Sequence, residues 1–305
     1  MEKQTKTIAL LHLAVFLAGW TGIFGRWIFL DGLPLVWERI IVSLVTLTAF
    51  MGLTGRLHAL PWASVGRIAA CGILLAIHWV AFYASIKASN VSVGTACIAT
   101  SCFFSALFDP LLNHKRLSLR EVLISFIAIA GILLIFSLDV RYRLGIALGL
   151  LSAAVYAIFA LLNIRVAART GQDSATMLLY ELAGGVLFLS ACIPLYGILD
   201  PGAAIRPRGN DLPALLVLGS VFTVIPFLLQ IHALRRLSAF TVNVAYNLEP
   251  IYSIFFAALI FGETREVGLS FWIGIALIVL SVVLQTRLIH RNSGSMKKVG
   301  CKSER

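Results

Sequence analysis

Apolar runs long enough to cross a bilayer constrain this chain more than any other feature. A helix needs about 20 residues to span the hydrocarbon core. Runs of that length recur at 8–27, 34–53, 68–86, 91–113, 121–138, 144–164, 176–198, 212–234, 239–261 and 267–289. Short connections join them, with turn signals at Asp31-Gly32, Ser89-Asn90, Gly171-Gln172 and Asp200-Pro201-Gly202. None is long enough for a soluble domain, so the fold class is an all-α membrane protein with ten transmembrane helices. Composition agrees: charged residues are 13% of the chain, against roughly a quarter in soluble proteins.

The net charge of +11 does not point to nucleic acid, because the basic residues are scattered over short loops and the tail. A membrane surface accounts for them. With the N-terminus inside, cytoplasmic segments collect 17 of the 25 Lys and Arg residues, including Lys115, Arg116, Arg235 and Arg236. By the positive-inside rule both termini are cytoplasmic. The segment after His290 is polar and basic and is expected to lie near anionic headgroups. The first run has no small-residue cleavage site and is read as a retained helix. Five cysteines without a Cys-x-x-Cys pair indicate neither a zinc site nor a disulfide framework.

Ten runs divide into five and five, and an odd number per half turns the second half upside down. The expected division is a first five-helix repeat over 1–138, a second, inverted one over 139–291, and a tail over 292–305. Identity between the halves is poor: at an ungapped offset of 148 it is limited to matches such as Ser105/Ser253 and Phe108/Phe256. Hydropathy and loop charge carry the repeat. Inverted repeats bring binding sites to the midplane between halves. Gly19, Gly22, Gly25, Gly145, Gly149 and Gly184-Gly185 are read as helix-packing seams.

The run from Ala239 to Phe261 is apolar at both ends but carries Asn243, Tyr246, Asn247, Glu249 and Pro250 at its centre. A carboxylate at that depth needs water, a proton or a partner, so Glu249 faces a substrate path or an ionic partner. His78 falls mid-span, followed by Trp79 and Tyr83, either as a ring-walled site or as a histidine bonded to a neighbouring helix. Glu38 and Arg39 point about 100° apart, so at least one enters the bundle. Arg39 and Glu181 could also snorkel to an interface. Trp20 and Tyr156 occupy related positions in the two halves and could wall a cavity or fill the core. The candidate substrate-binding set is therefore His78, Trp79, Tyr83, Glu249, Asn243, Tyr246, Asn247, Trp20, Tyr156 and Arg39, with no catalytic or metal-ligating residues. No phosphate loop, zinc-protease or serine-hydrolase motif occurs, so ATP drive, a cofactor and enzyme chemistry are not expected.

Several of these residues fall into blocks that resemble the EamA-like ten-helix transporters of the drug/metabolite transporter superfamily. They are His78-Trp79 leading to Ser85-Ile86-Lys87-Ala88-Ser89-Asn90, Leu237-Ser238-Ala239-Phe240-Thr241-Val242-Asn243 leading to Tyr246-Asn247-Leu248-Glu249-Pro250, and Phe261-Gly262-Glu263. Where that family's first repeat often has Gly-Glu after span four, this chain has His114-Lys115. The resemblance implies two inverted repeats around a central cavity, peripheral fifth and tenth spans, and movement of amino acids or similar small metabolites across a bacterial-type inner membrane, commonly outward. The expected function is thus secondary transport, by alternating access, of a small polar metabolite such as an amino acid. The alternative is a membrane scaffold or flippase-like subunit that transports nothing itself. Expected partners are a small-molecule substrate and membrane lipids.

Overall fold

The structure, a computed structural model, describes residues 2–113, 119–136, 142–234, 236–237 and 248–263, with 242, 245, 246 and scattered positions between 270 and 284. All regular structure among them is helical. The elements are α1 Glu2–Gly19, α2 Thr21–Trp27, α3 Gly32–Leu53, α4 Trp62–Ala88, α5 Val91–Ile98, α6 Ser101–Asn113, α7 Leu119–Phe136, α8 Arg143–Thr170, α9 Ser174–Leu199, α10 Asp211–Gly219, a π-helical turn Ser220–Val224, α11 Ile225–Leu234 and α12 Glu249–Phe261.

Seven of the resulting helical stretches are long and apolar enough to cross a membrane: Thr5–Trp27, Gly32–Leu53, Trp62–Ala88, Val91–Leu112, Arg143–Thr170, Ser174–Leu199 and Asp211–Ala233. α7 coincides with the fifth expected run and α12 with the second half of the ninth. The tenth run, and with it the full count of ten, lies largely outside the described residues. The chain is thus an all-α, multi-pass integral membrane protein.

The expected ninth span is not one continuous helix. Leu248 is a turn, and α12 starts at Glu249 with Pro250 in its first turn, where a missing N–H costs no hydrogen bond. The fourth span breaks in the same way at Ala99–Thr100, and α6 restarts at Ser101. The two restarts lie 148 residues apart, the offset at which the halves were aligned by sequence. The eighth span is also interrupted. Pro226 cannot donate to the residue four back and crowds that carbonyl, and the ladder widens into the π turn immediately before it.

α4 is the central post, packed most extensively on α8 and α9 and also on α2, α3 and α5. Small residues make this possible. Gly149 sits against Cys97 and Ser85, Gly185 against Ala76 and Ile40, and Gly72 against the Glu181 backbone. These contacts match the packing-seam reading. α7 is peripheral, touching α5 and α6, and the Ser281 hydroxyl donates to the Ile124 carbonyl on it.

Polar clasps tie the helix ends. Glu263, after the left-handed cap Gly262 (φ +66°), accepts from Arg26 and from Val91 N, Ser92 N and Ser92 Oγ at the start of α5. Arg26 thus forms an ion pair with Glu263, and Lys87 donates to the Ile28 carbonyl. Asp211 accepts from Phe29 N, and Asp31 from Ala204 N. On the other side Asp173 caps α9, accepting from Ala175 N and Thr176 N. Burial opposes the Asp173 charge, but bonds from Thr176 and Ala175 and the proximity of His58 outweigh it and hold the carboxyl below its usual range.

Candidate functional site

Arg39 is the residue around which the described candidates assemble. It is 4% exposed on α3, so the snorkelling alternative does not hold. Nε donates to Thr223 Oγ1 at 3.0 Å and Nη1 to the Tyr83 hydroxyl at 2.7 Å. The guanidinium lies 4.3 Å from the centre of the Trp79 ring and 5.5 Å from that of Tyr83. Buried cations are normally paired with carboxylates. Here the partners are hydroxyls and ring faces, and Nη2 has no hydrogen-bond partner among the described residues.

The π turn explains Thr223. Its hydroxyl donates to Leu218 O at 2.7 Å, using a carbonyl loosened by the widened ladder, and its oxygen then accepts from Arg39. Sequence reasoning missed Thr223. The available signal was Pro226, which marks a helix defect one turn earlier.

Glu249 is half-buried at the start of α12 and within electrostatic reach of Arg39, Tyr83, Tyr156 and Tyr246. It forms no ion pair with Arg39, although both are described. Tyr246 donates from its hydroxyl to Pro226 O at 3.3 Å. Tyr156 is 37% exposed, and its ring lies 4.9 Å from that of His78.

His78 is committed elsewhere. Nδ1 meets Ser152 Oγ at 2.8 Å, and the same hydroxyl bonds the His78 carbonyl at 2.9 Å, a two-point lock between α4 and α8. Of the alternatives drawn from the sequence, the histidine bonded to a neighbouring helix is the arrangement observed at Nδ1. Trp20 lies at the break between α1 and α2, its ring 4.5 Å from Phe256 and 6.1 Å from Phe222, in an aromatic group beside the π turn. Asn243 and Asn247 lie outside the described residues. The structure thus brings together Arg39, Trp79, Tyr83, Glu249, Tyr156 and Tyr246, ties His78 to α8, and sets Trp20 in the neighbouring aromatic group.

The model of the EamA-like transporter family matches this sequence twice, over residues 5–137 and 143–287. The chain belongs to the EamA-like transporter family. It is a membrane transporter of the drug/metabolite transporter kind. A relative described as an uncharacterized transporter, from Clostridium kluyveri, is 20% identical over 254 residues, covering 77% of this chain and 76% of the relative. A solved crystal structure with TM-score 0.63 and 17% identity covers 93% of this chain and 98% of its own, which shows a shared fold and nothing about solute.

Proposed function

We propose that this EamA-like protein is a secondary transporter of zwitterionic small metabolites, amino acids or close derivatives, that exports them by alternating access between two inverted repeats. One observation carries the reading: a buried arginine and a half-buried glutamate face one region of the bundle without forming an ion pair with each other. A zwitterion matches that charge pattern. Its carboxylate would take the open edge of Arg39, a planar fork suited to bidentate pairing. Its ammonium would lie by Glu249, between the rings of Trp79, Tyr83 and Tyr156.

The broken helices support alternating access. Discontinuous spans that restart at equivalent points of two halves are a common way to place a polar solute at mid-membrane. Glu249 at a helix start also means that solute binding can alter the local geometry of α12 without breaking a continuous helix. The distribution of Lys and Arg supports an inner-membrane orientation with cytoplasmic termini.

Reconstituted protein tests the reading through counterflow of a panel of amino acids, amines, monocarboxylates and sugar nucleotides. Amino acids should exchange, and Glu249→Gln and Arg39→Met should each abolish the exchange while remaining folded and inserted. Full activity in a stable Glu249→Gln variant would remove Glu249 from the site. Flux of no compound in the panel would leave a protein that transports none of these classes.

A further inference from the structure

Glu181 has no part in the site around Arg39, yet it is a carboxylate in the bundle interior, 3% exposed. The sequence left open whether it snorkels, and its burial shows that it does not. It lies on the face of α9 that packs against α4. There the backbones touch: a side chain at Gly72 would run into the Glu181 main chain, and one at Gly184 would run into Ala69. Water is therefore shut out on the α4 side. The Glu181 side chain reaches α8 instead, where Asn163 Nδ2 donates to Oε1 at 2.5 Å.

Among the described residues that amide is its only hydrogen-bond partner, and no cation forms an ion pair with it. Of the titratable or charged groups on surrounding helices, Cys71 is within electrostatic reach of Glu181; α4 also carries Arg67, His78, Tyr83 and Lys87, α8 carries Arg143, Tyr156, Arg165 and Arg169, and α11 carries His232. α3 carries none after Arg39. A glutamine would satisfy Asn163 as well as a glutamate does, without the cost of a charge in the membrane interior. What a glutamate adds at this place is the ability to ionise.

Its position connects it to the solute site. Cys71 precedes His78 by seven residues on α4, and Asn163 follows Tyr156 by seven on α8. Seven residues are two turns on the same helix face, so Glu181 lies roughly 10 Å along the faces that carry His78 and Tyr156. Asn163, which holds the Glu181 carboxyl, is half-buried on α8.

We propose that Glu181 is a proton-binding site that couples solute movement to the proton gradient. Its carboxylate takes one proton from a hydronium on one side of the membrane, leaving a neutral acid and a water. It returns that proton to water on the other side after the helices rearrange. The proposal rests on the protein being a transporter, not on the solute being zwitterionic.

The direct test is pH-difference infrared spectroscopy of the purified protein in lipid, with no solute. A carboxylic-acid C=O band should grow as the pH is lowered from about 9 to about 5, vanish in Glu181→Gln and shift in Glu181→Asp. Spectra of wild type and Glu181→Gln that superimpose over this range would overturn the proposal. Should Glu181→Gln fail to insert, an unshifted band in Glu181→Asp overturns it equally. In proteoliposomes, accumulation of a radiolabelled mixture of the standard L-amino acids under an imposed pH gradient should be lost in Glu181→Gln and kept in Glu181→Asp. Counterflow of the same mixture should persist in both variants. Gradient-driven accumulation by Glu181→Gln at the wild-type level contradicts the proposal. A wild type that moves none of the mixture instead removes the zwitterion reading, and the infrared band still decides Glu181.

Discussion

A charged side chain inside a membrane must be matched by something, and Arg39, Glu181 and Glu249 are matched in three different ways. Arg39 is held by hydroxyls and ring faces and Glu181 by one amide, while Glu249 has the charge of Arg39 within electrostatic reach but no ion pair with it. The first and third leave hydrogen-bonding capacity for a solute, which is why the zwitterion reading centres on them. His78 is the contrasting case. Its Nδ1 and its carbonyl both engage Ser152 Oγ, so the residue holds α4 to α8. Ser152→Ala should therefore cost about 1 kcal/mol of stability, the net worth of a buried hydrogen bond, while leaving the flux specificity unchanged. Thermal unfolding in detergent beside a counterflow assay checks this, and a change of specificity without loss of stability would return His78 to the binding site.

At the scale of elements, the apolar runs predicted the spans because a run of that length in lipid has few alternatives. The run edges fall within two residues of those of α3 and α9, whereas α4 begins six residues before its run and α8 ends six residues after its own. The helix breaks were legible only in part. Pro250 announced a disturbance in the ninth span, but the sequence reading placed Glu249 mid-helix, whereas it begins α12. The break at Ala99–Thr100 had no proline to mark it, and the π turn had Pro226, which went unread. Pairings such as Arg39–Thr223 and Glu181–Asn163 join residues from separate spans, and single-sequence periodicity carries no information on which helix faces which. Capping was simpler, since Asp173 before an apolar run is a local signal. Asp173→Ala should cost about 1 kcal/mol at neutral pH. The Asp173 carboxyl is depressed on folding, so its contribution is present above the unfolded value near about pH 4 and is lost as the pH falls through the folded value. The stability difference between wild type and Asp173→Ala should accordingly shrink in acid, and a difference that stays constant with pH would contradict the cap.

For the whole molecule, the proposal combines two repeats, a solute site between them and a fixed orientation. Orientation is open to direct measurement. In a cysteine-free background, single cysteines at 141 and 206 should react with an impermeant thiol reagent from outside the cell, and one at 116 should not. Positions 116 and 141 lie outside the described residues, whereas 206 is in the described loop between α9 and α10. Labelling of 116 from outside would invert the assignment and exchange the two faces of the clasp formed by Arg26 and Glu263.

The zwitterion claim is tested most directly by charge editing of the solute rather than of the protein. The amino acid with the fastest counterflow is compared, as a competitor, with its methyl ester, which lacks the carboxylate, and its N-acetyl derivative, which lacks the ammonium. If Arg39 and Glu249 each meet one end, both derivatives should compete more weakly by about tenfold or more, the value of one charged hydrogen bond. Competition by either derivative as strong as that of the parent amino acid would contradict the account, because one of the two buried charges would then have no role in recognising the solute.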